Sequence, residues 1–176
     1  MKVNFITRMR HWLRREDGGA LAELAVLIPF LAVMLAGVCE FGRYFQNYTT
    51  LSKATRTASR YLSNHTLDDA ELTHAKNLMV CGKLTCAAGD RKLIPGLSAS
   101  NVCLMATKES EDSIKVLTVT VSIPRKAGDC DASLGASAAT PLVYTPIFNI
   151  GALLDNPTLS LALPMAPSTT MYYMID

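Results

Sequence analysis

A run of apolar residues near the N-terminus constrains this 176-residue chain more than any other feature. The run extends from about Ala20 to Cys39, reads ALAELAVLIPFLAVMLAGVC and carries one charge, Glu23. Roughly 20 apolar residues, each rising about 1.5 Å in a helix, span the hydrocarbon core of a bilayer. A core helix of this length would normally carry a polar stripe. The run therefore predicts one membrane-spanning helix, in which Pro29 and Gly37 are tolerated.

The charges around the run predict its orientation. Five cations precede it, against two acidic residues: Lys2, Arg8, Arg10, Arg14 and Arg15 against Glu16 and Asp17. The positive-inside rule then places the N-terminus in the cytoplasm. The bias is modest, because four cations follow the run: Arg43, Lys53, Arg56 and Arg60. The net charge of +2 and the lack of a dense basic stripe argue against a nucleic-acid partner.

Two other readings of the N-terminus fit less well. A cleaved signal peptide would have a shorter apolar region followed by an A-x-A site, which is missing here. A lipoprotein would need a small residue before Cys39, and Val38 is a poor one.

The number and placement of the cysteines predict disulfides. Cys39 lies in the apolar run and is interpreted as a small apolar residue. The other four, Cys81, Cys86, Cys103 and Cys130, are an even number in an exported segment, which suggests two disulfides. Three pairings are possible, and we favour Cys81–Cys86 with Cys103–Cys130 because these loops do not cross. A zinc site at Cys81, Cys86 and His74 is the alternative, but C-x4-C spacing is loose for zinc.

Beyond the membrane the helix is predicted to continue to about residue 63. Apolar and aromatic residues recur every three or four positions: Phe41, Tyr44, Phe45, Tyr48, Leu51, Thr55, Ala58, Tyr61 and Leu62. Such a stripe is typical of a helix that docks on its own domain. Asn64 and His65 interrupt the pattern.

A second helix is predicted to begin near Thr66, where Thr66 and Asp69 have the spacing of a capping pair. Its buried face would contain Leu72, Ala75, Leu78 and Met79, and Gly82 would end it. Residues 83–99 are predicted to form a loop.

Strand patterns follow. Residues 101–106 and 114–123 predict a hairpin joined by a charged turn at 108–112, with Pro124 after the second strand. Residues 125–141 are predicted to be a loop and residues 158–163 a further strand. Residues 171–175 are predicted to be either a short last strand or a disordered tail. A long helix, a second helix and a small antiparallel sheet make the predicted fold class α+β.

Catalytic patterns are missing from the sequence. The chain has no G-x-S-x-G, H-E-x-x-H or P-loop motif, and its histidines lie in no nucleophile–base pattern. We therefore expect no enzyme activity, no cofactor and no metal. The position of Glu23 inside the apolar run requires an explanation, because a carboxylate in hydrocarbon is usually paired or functional.

Three motifs in order resemble a known family. Residues 14–29 (RREDGGALAELAVLIP) resemble the start of a TadE-like minor pilin, or pseudopilin, of the tight-adherence (Tad/Flp) type IVb pilus system. Residues 37–43 (GVCEFGR) look like the family's G-x-x-E-F-G-R, and residues 54–61 (ATRTASRY) look like its A-x-R-x-G-A-R segment. Leu24 replaces the usual phenylalanine, and Ala58-Ser59 replaces the glycine–alanine pair. The remaining domain matches only as a TVTV-type strand before a proline.

The resemblance implies processing by a membrane-embedded prepilin peptidase, which cuts after a glycine on the cytoplasmic side. Cleavage between Gly18 and Gly19 would place Glu23 fifth in the mature chain, the pilin-like position, whereas cleavage after Gly19 would place it fourth. We favour the first. Glu23 would then pair with the N-terminal amine of a neighbouring subunit during assembly, since opposite charges attract strongly at low dielectric.

The resemblance implies that the protein is a minor pilin with a pilin-like fold that helps initiate or prime pilus assembly. It would have a cytoplasmic leader (1–18), a transmembrane and extended helix (19–63) and a periplasmic α+β domain (64–176). The implied partners are the prepilin peptidase, the major pilin, a sister minor pilin and the inner-membrane assembly platform. The rival interpretations are an uncleaved signal-anchored periplasmic binding or scaffold protein and a cell-envelope enzyme.

Overall fold

One long helix, α1, extends from Asp17 to Leu62 in the computed structural model. Its 46 residues correspond to about 69 Å at the usual helical rise. The prediction of one continuous helix over the apolar run and its extension is therefore confirmed, with Pro29 inside it. The structure describes residues 17–111, 114–126, 129–130, 139–153, 155–156, 158 and 160–173. The chain divides into two units, Met1–Phe41 and Gly42–Asp176, and the second is called the domain below.

Side chains just past α1 bind its last carbonyl groups. Ser63 Oγ and Asn64 Nδ2 both donate to the carbonyl oxygen of Arg60, each at 2.9 Å. Nδ1 of His65 lies 2.8 Å from the carbonyl oxygen of Tyr61. A helix C-terminus leaves these carbonyls without intrahelical partners. The side chains that satisfy them therefore end the helix where the sequence predicts.

The second helix, α2, extends from Asp69 to Cys81, so the prediction of a start near Thr66 is wrong. Asp68 is the N-cap residue, and its carboxylate accepts a hydrogen bond from the backbone N–H of Glu71 at 2.8 Å. The Thr66 hydroxyl instead donates to the Asp68 carboxylate at 3.2 Å. A carboxylate is preferred at the cap because its charge also interacts favourably with the helix dipole.

Replacing Asp68 by Asn is expected to lower stability near neutral pH only. The hydrogen bond from Glu71 N–H holds the pKa of Asp68 below its ordinary 3.8, so folding favours the charged form. That contribution is present above pH 3.8 and is lost as pH falls through the depressed pKa. We expect the melting temperature of Asp68→Asn to be about 2 °C below wild type at neutral pH.

The two melting temperatures should converge in acid. Asp69→Asn is the control, because Asp69 lies in the same turn but is not the N-cap residue. A difference between wild type and Asp68→Asn that stays constant well below pH 3.8 would show that the charge is not the cause.

Three antiparallel strands form one sheet in the order β1-β2-β3. The strands are β1 (Cys103–Glu111), β2 (Ile114–Ser122) and β3 (Ser168–Tyr172). The predicted hairpin is confirmed, with Cys103 opposite Ser122 and Glu111 opposite Ile114. Two long helices with this sheet, and a short helix α3 (Ile150–Leu153), give the predicted α+β architecture.

The hairpin differs from the prediction at two places. β1 does not include Asn101, which lies in a 3-10 turn (Ala99–Asn101) and donates from its side chain to the Thr140 carbonyl at 3.0 Å. Residues 108–111, predicted as part of a charged turn, belong to β1 instead. Charged side chains do not prevent strand pairing, because the ladder hydrogen bonds are made by the backbone. Residue 112 of that turn lies outside the described residues.

The prediction of a strand over residues 158–163 is wrong. Its described residues, 158 and 160–163, belong to no strand. The backbone N–H of Leu163 donates a hydrogen bond to the carbonyl oxygen of Leu161 at 2.9 Å. An isolated β-bridge joins Val143 to Pro164. Pro164 has no N–H with which to continue a ladder. The place beside β2 is taken by β3.

The last strand lies earlier than predicted. The sequence places it at residues 171–175, whereas β3 is Ser168–Tyr172, and residues 174–176 lie outside the described part of the chain. The shift has a contact that explains it: Thr169 Oγ1 lies 3.0 Å from Thr55 Oγ1 of α1. In the predicted loop 125–141, the described residues form no helix or strand.

The core of the domain combines residues of α1, α2, the sheet and the connecting loops. Its fully buried members include Leu51, Leu62, Met79, Leu97 and Val119. Of the predicted buried face of α2, Leu72, Ala75 and Met79 are buried, and Leu78 is half-buried. Within the stripe on α1, Phe41 and Phe45 are 70% and 59% exposed, whereas Tyr44 packs against the core of the domain.

Candidate functional site

The predicted processing and assembly residues lie in the first two turns of α1. Gly18 and Gly19 are helical and exposed, and a Cβ atom added to either would have no neighbour within 4 Å. Glu23 is also exposed. Within the described part of the chain, packing therefore gives no reason for glycine at either position. A substitution at Gly18 is therefore expected to leave folding intact, so that an effect on processing can be attributed to the residue itself.

The first half of α1 presents an apolar surface on all sides. Every residue from 18 to 35 is exposed, and the most apolar window has a mean hydropathy of 2.4. Exposed side chains include Leu21, Leu24, Val26, Leu27, Ile28, Phe30, Leu31 and Leu35. Among the described residues, α1 is the one helix long and apolar enough to cross a membrane. An apolar surface of this extent marks a site covered by lipid or by other apolar segments.

The second half of α1 buries small side chains and contacts β3 through Thr55 and Ser59. Ala54, Ala58 and Ser59 are buried. Ser59 Oγ donates to the carbonyl oxygen of Thr169 at 3.1 Å, and the Thr55 hydroxyl lies 3.0 Å from that of Thr169. Larger side chains at Thr55 and Ser59 would separate α1 from the strand.

The arginines of the same segment face outwards. Arg56 and Arg60 are exposed, whereas Ala54, Ala58 and Ser59 between and beside them are buried. The alternation of small and basic residues in ATRTASR is therefore explained by one face buried in the domain and one face open to solvent.

Among the comparisons with known proteins, one matches a stretch of α1. Residues 18–60 match the family model described as TadE-like protein. The chain carries a TadE-like segment. The segment begins at Gly18, includes Glu23 and the exposed apolar surface of the first half of α1, and ends in the buried small residues Ala54, Ala58 and Ser59. No curated protein and no solved structure matches the chain.

The domain beyond the TadE-like segment contains two disulfides. Cys81 is bonded to Cys86 and Cys103 to Cys130, with Cα–Cα distances of 6.0 and 5.8 Å. This is the pairing that the sequence favours. Because Cys81 and Cys86 are bonded to each other, they do not serve as zinc ligands with His74. Gly82, with φ of 71°, ends α2 just inside the smaller loop, as predicted.

A polar cluster joins the end of α1 to α2. The Tyr61 hydroxyl donates to the Glu71 carboxylate, and His74 Nδ1 lies 3.5 Å from the Tyr61 hydroxyl and 3.6 Å from Glu71 Oε2. The His65 ring stacks on Tyr61 with centroids 4.0 Å apart. The described residues contain no group of three or more acidic, His or Cys side chains that could hold a metal ion. The cluster links the two helices.

Two features of the structure were not found by reasoning from the sequence. Glu40, noted only as part of a motif, is buried at 4% exposure, and a buried carboxylate is retained where its charge is compensated. Tyr144, in a segment with no clear periodicity, packs its ring edge-on against Tyr44 at 5.5 Å. The contact between Tyr44 and Tyr144 has only a weak signal in the sequence, because 100 residues separate the two tyrosines.

Proposed function

We propose that this protein is a TadE-like minor pilin that is processed by a prepilin peptidase and helps initiate or prime assembly of a tight-adherence type IVb pilus. The observation that carries the proposal is the TadE-like segment at residues 18–60, since that family comprises pilus components rather than known enzymes. The exposed apolar surface of α1 supports it, because a helix apolar on all sides can lie in lipid and later pack beside other pilin helices.

Processing is proposed to occur between Gly18 and Gly19. Residues 1–18 would be the cytoplasmic leader, residues 19–63 the membrane and extended helix, and residues 64–176 the periplasmic domain. The basic residues before the span and the disulfides after it support this orientation. The partners would be the prepilin peptidase, the major pilin, a sister minor pilin and the inner-membrane assembly platform.

Replacing Gly18 by Leu is expected to stop conversion of the precursor to the mature form. The reason is access: a glycine lets the peptidase approach the backbone closely, and a leucine side chain would obstruct it. Because a Cβ at Gly18 meets no atom within 4 Å, the variant should fold and insert normally. The measurement is the mass of the purified protein, together with its N-terminal sequence.

Gly37→Leu is the matched control, since Gly37 also lies in α1 with no atom within 4 Å of an added Cβ. It should be processed like the wild type. Gly19→Leu distinguishes the two possible cuts, whose products differ by the mass of one glycine residue. A wild-type protein that retains Met1 in cells would favour the uncleaved signal-anchored binding or scaffold protein.

A further inference from the structure

The strand β3 (Ser168–Tyr172) lies at one edge of the sheet, because the strand order is β1-β2-β3. Among the described residues, no further strand pairs with its outer side. Edge strands are usually protected against pairing by a charged residue, a proline or a bulge. The sequence of β3 is STTMY, which contains neither a charged residue nor a proline. The outer edge of β3 is therefore open to pairing.

The register of β2 and β3 shows which backbone groups lie at this open edge. The N–H of Ile123 donates to the carbonyl oxygen of Pro167 at 3.1 Å. Counting from this hydrogen-bonded pair, every second residue of β3 bonds to β2, because such pairs alternate in an antiparallel ladder. Thr170 and Tyr172 lie between the bonded positions, so their N–H and C=O groups point away from β2. The hydroxyl oxygens of Thr120 and Thr170, 2.8 Å apart, agree with this, since side chains lie closer in a non-hydrogen-bonded pair.

A groove of about 460 Å³ lies against the open edge. Its described lining residues come from β3 and from the end of α1: Thr170, Met171 and Tyr172, with Arg60, Ser63 and Asn64. Ligand sites in proteins are typically about 300–1,000 Å³. All six residues belong to the domain, so the groove lies within one unit of the chain.

The wall that α1 contributes carries a cation. Ser63 Oγ and Asn64 Nδ2 hold the carbonyl oxygen of Arg60, each at 2.9 Å, and so fix the backbone of this wall. The Arg60 side chain is exposed, and within the described ranges it takes part in no ion pair. A guanidinium is well suited to bind a carboxylate, because its planar N–H groups match the two oxygens. The groove therefore combines unpaired strand groups with a site for one acidic side chain.

We propose that an extended segment of another protein, carrying an acidic side chain, adds to the outer edge of β3 and occupies this groove. Its backbone pairs with Thr170 and Tyr172, and its carboxylate pairs with Arg60. In strand addition of this kind, main-chain hydrogen bonds supply affinity and the neighbouring side chains supply specificity. The β3 strand of a second copy fits less well, because it contains no acidic residue. The inference concerns the domain alone and does not depend on the proposed function.

A synthetic peptide of alternating threonine and valine with one central glutamate is the probe. Backbone groups make the pairing, so the probe needs only β-prone residues and the carboxylate. The matched peptide has glutamine in place of glutamate. Binding to the full chain in detergent micelles is followed by NMR titration, and hydrogen exchange is measured at single backbone amides.

The acidic peptide is expected to slow exchange of the Thr170 and Tyr172 amides at least about tenfold. The Met171 amide should change little, because it already bonds to β2. Arg60→Gln should weaken binding of the acidic peptide about fivefold, to the level of the glutamine peptide. Arg56→Gln is the matched control, since Arg56 is exposed one turn earlier on α1 and does not line the groove. It should bind like the wild type.

Three results would overturn the inference. Unchanged exchange at Thr170 and Tyr172 with the acidic peptide would exclude strand addition. Equal binding of the two peptides, or an equal loss in Arg56→Gln and Arg60→Gln, would exclude recognition of a carboxylate by Arg60. Slow exchange that appears without peptide and increases with protein concentration would assign the edge to a second copy of the chain.

Discussion

Replacing Glu23 by Gln is expected to leave membrane insertion and processing intact while it reduces surface pili by at least about tenfold, which corresponds to about 1.4 kcal/mol. Glutamine keeps the size of the side chain and removes its charge. Insertion should become easier, because a carboxylate in the membrane is costly. A loss of pili therefore cannot come from weaker anchoring.

The expected loss comes from one ion pair between subunits. Glu23 is exposed, and within the described part of the chain it takes part in no ion pair. The N-terminal amine of a neighbouring processed subunit would supply the partner. At an effective dielectric constant of about 20, two charges about 4 Å apart attract by about 4 kcal/mol. Even a fraction of this energy is enough for a tenfold effect on assembly.

Two variants make the result specific. Glu23→Asp keeps the charge on a shorter side chain and should restore part of the piliation. Asp17→Asn removes a carboxylate from the proposed leader and should have no effect. Normal piliation in the Glu23→Gln strain, with the variant present at wild-type amounts, would exclude the proposed assembly role of Glu23. Surface pili are counted by electron microscopy and by immunoblots of sheared cells.

The helical part of the fold could be predicted because its signals are local. The apolar run, the stripe after it and the break at Asn64 and His65 all lie in consecutive residues, and α1 follows them from Asp17 to Leu62. The cap of α2 was misplaced because Thr66 and Asp68 both suit an N-cap. The choice between them depends on which side chain reaches the N–H of Glu71.

The sheet could be predicted only in part, because strand pairing depends on distant residues. Residues 158–163 alternate like a strand, yet β3 takes the place beside β2 and Thr169 anchors it to α1. The contact of Tyr44 with Tyr144 and Pro164 depends on the same long-range folding. The candidate residues Gly18, Gly19 and Glu23 came from a motif rather than from packing, and the structure places them on an exposed helix surface.

Removing the Cys103–Cys130 disulfide is expected to destabilise the domain more than removing Cys81–Cys86. The first bond joins residues 27 apart in the sequence and the second joins residues 5 apart. Closing the longer loop removes more entropy from the unfolded chain, about 3.5 kcal/mol against about 2 kcal/mol. Since small domains are stable by about 5–15 kcal/mol, the larger loss is a substantial part of the total.

The variant that lacks one disulfide is the control for the variant that lacks the other. Each contains one buried cysteine, Cys81 at 8% and Cys103 at 1% exposure, so Cys→Ala pairs remove similar buried sulfur atoms. The difference between the paired variants then reports mainly on the loops. Cys103 also begins β1, and its bond to Cys130 ties the connection after β2 back to the sheet. Urea unfolding of the full chain in detergent, followed by near-UV circular dichroism, measures both losses. An equal or larger loss from the Cys81→Ala/Cys86→Ala protein would show that loop closure does not set the contribution of these bonds.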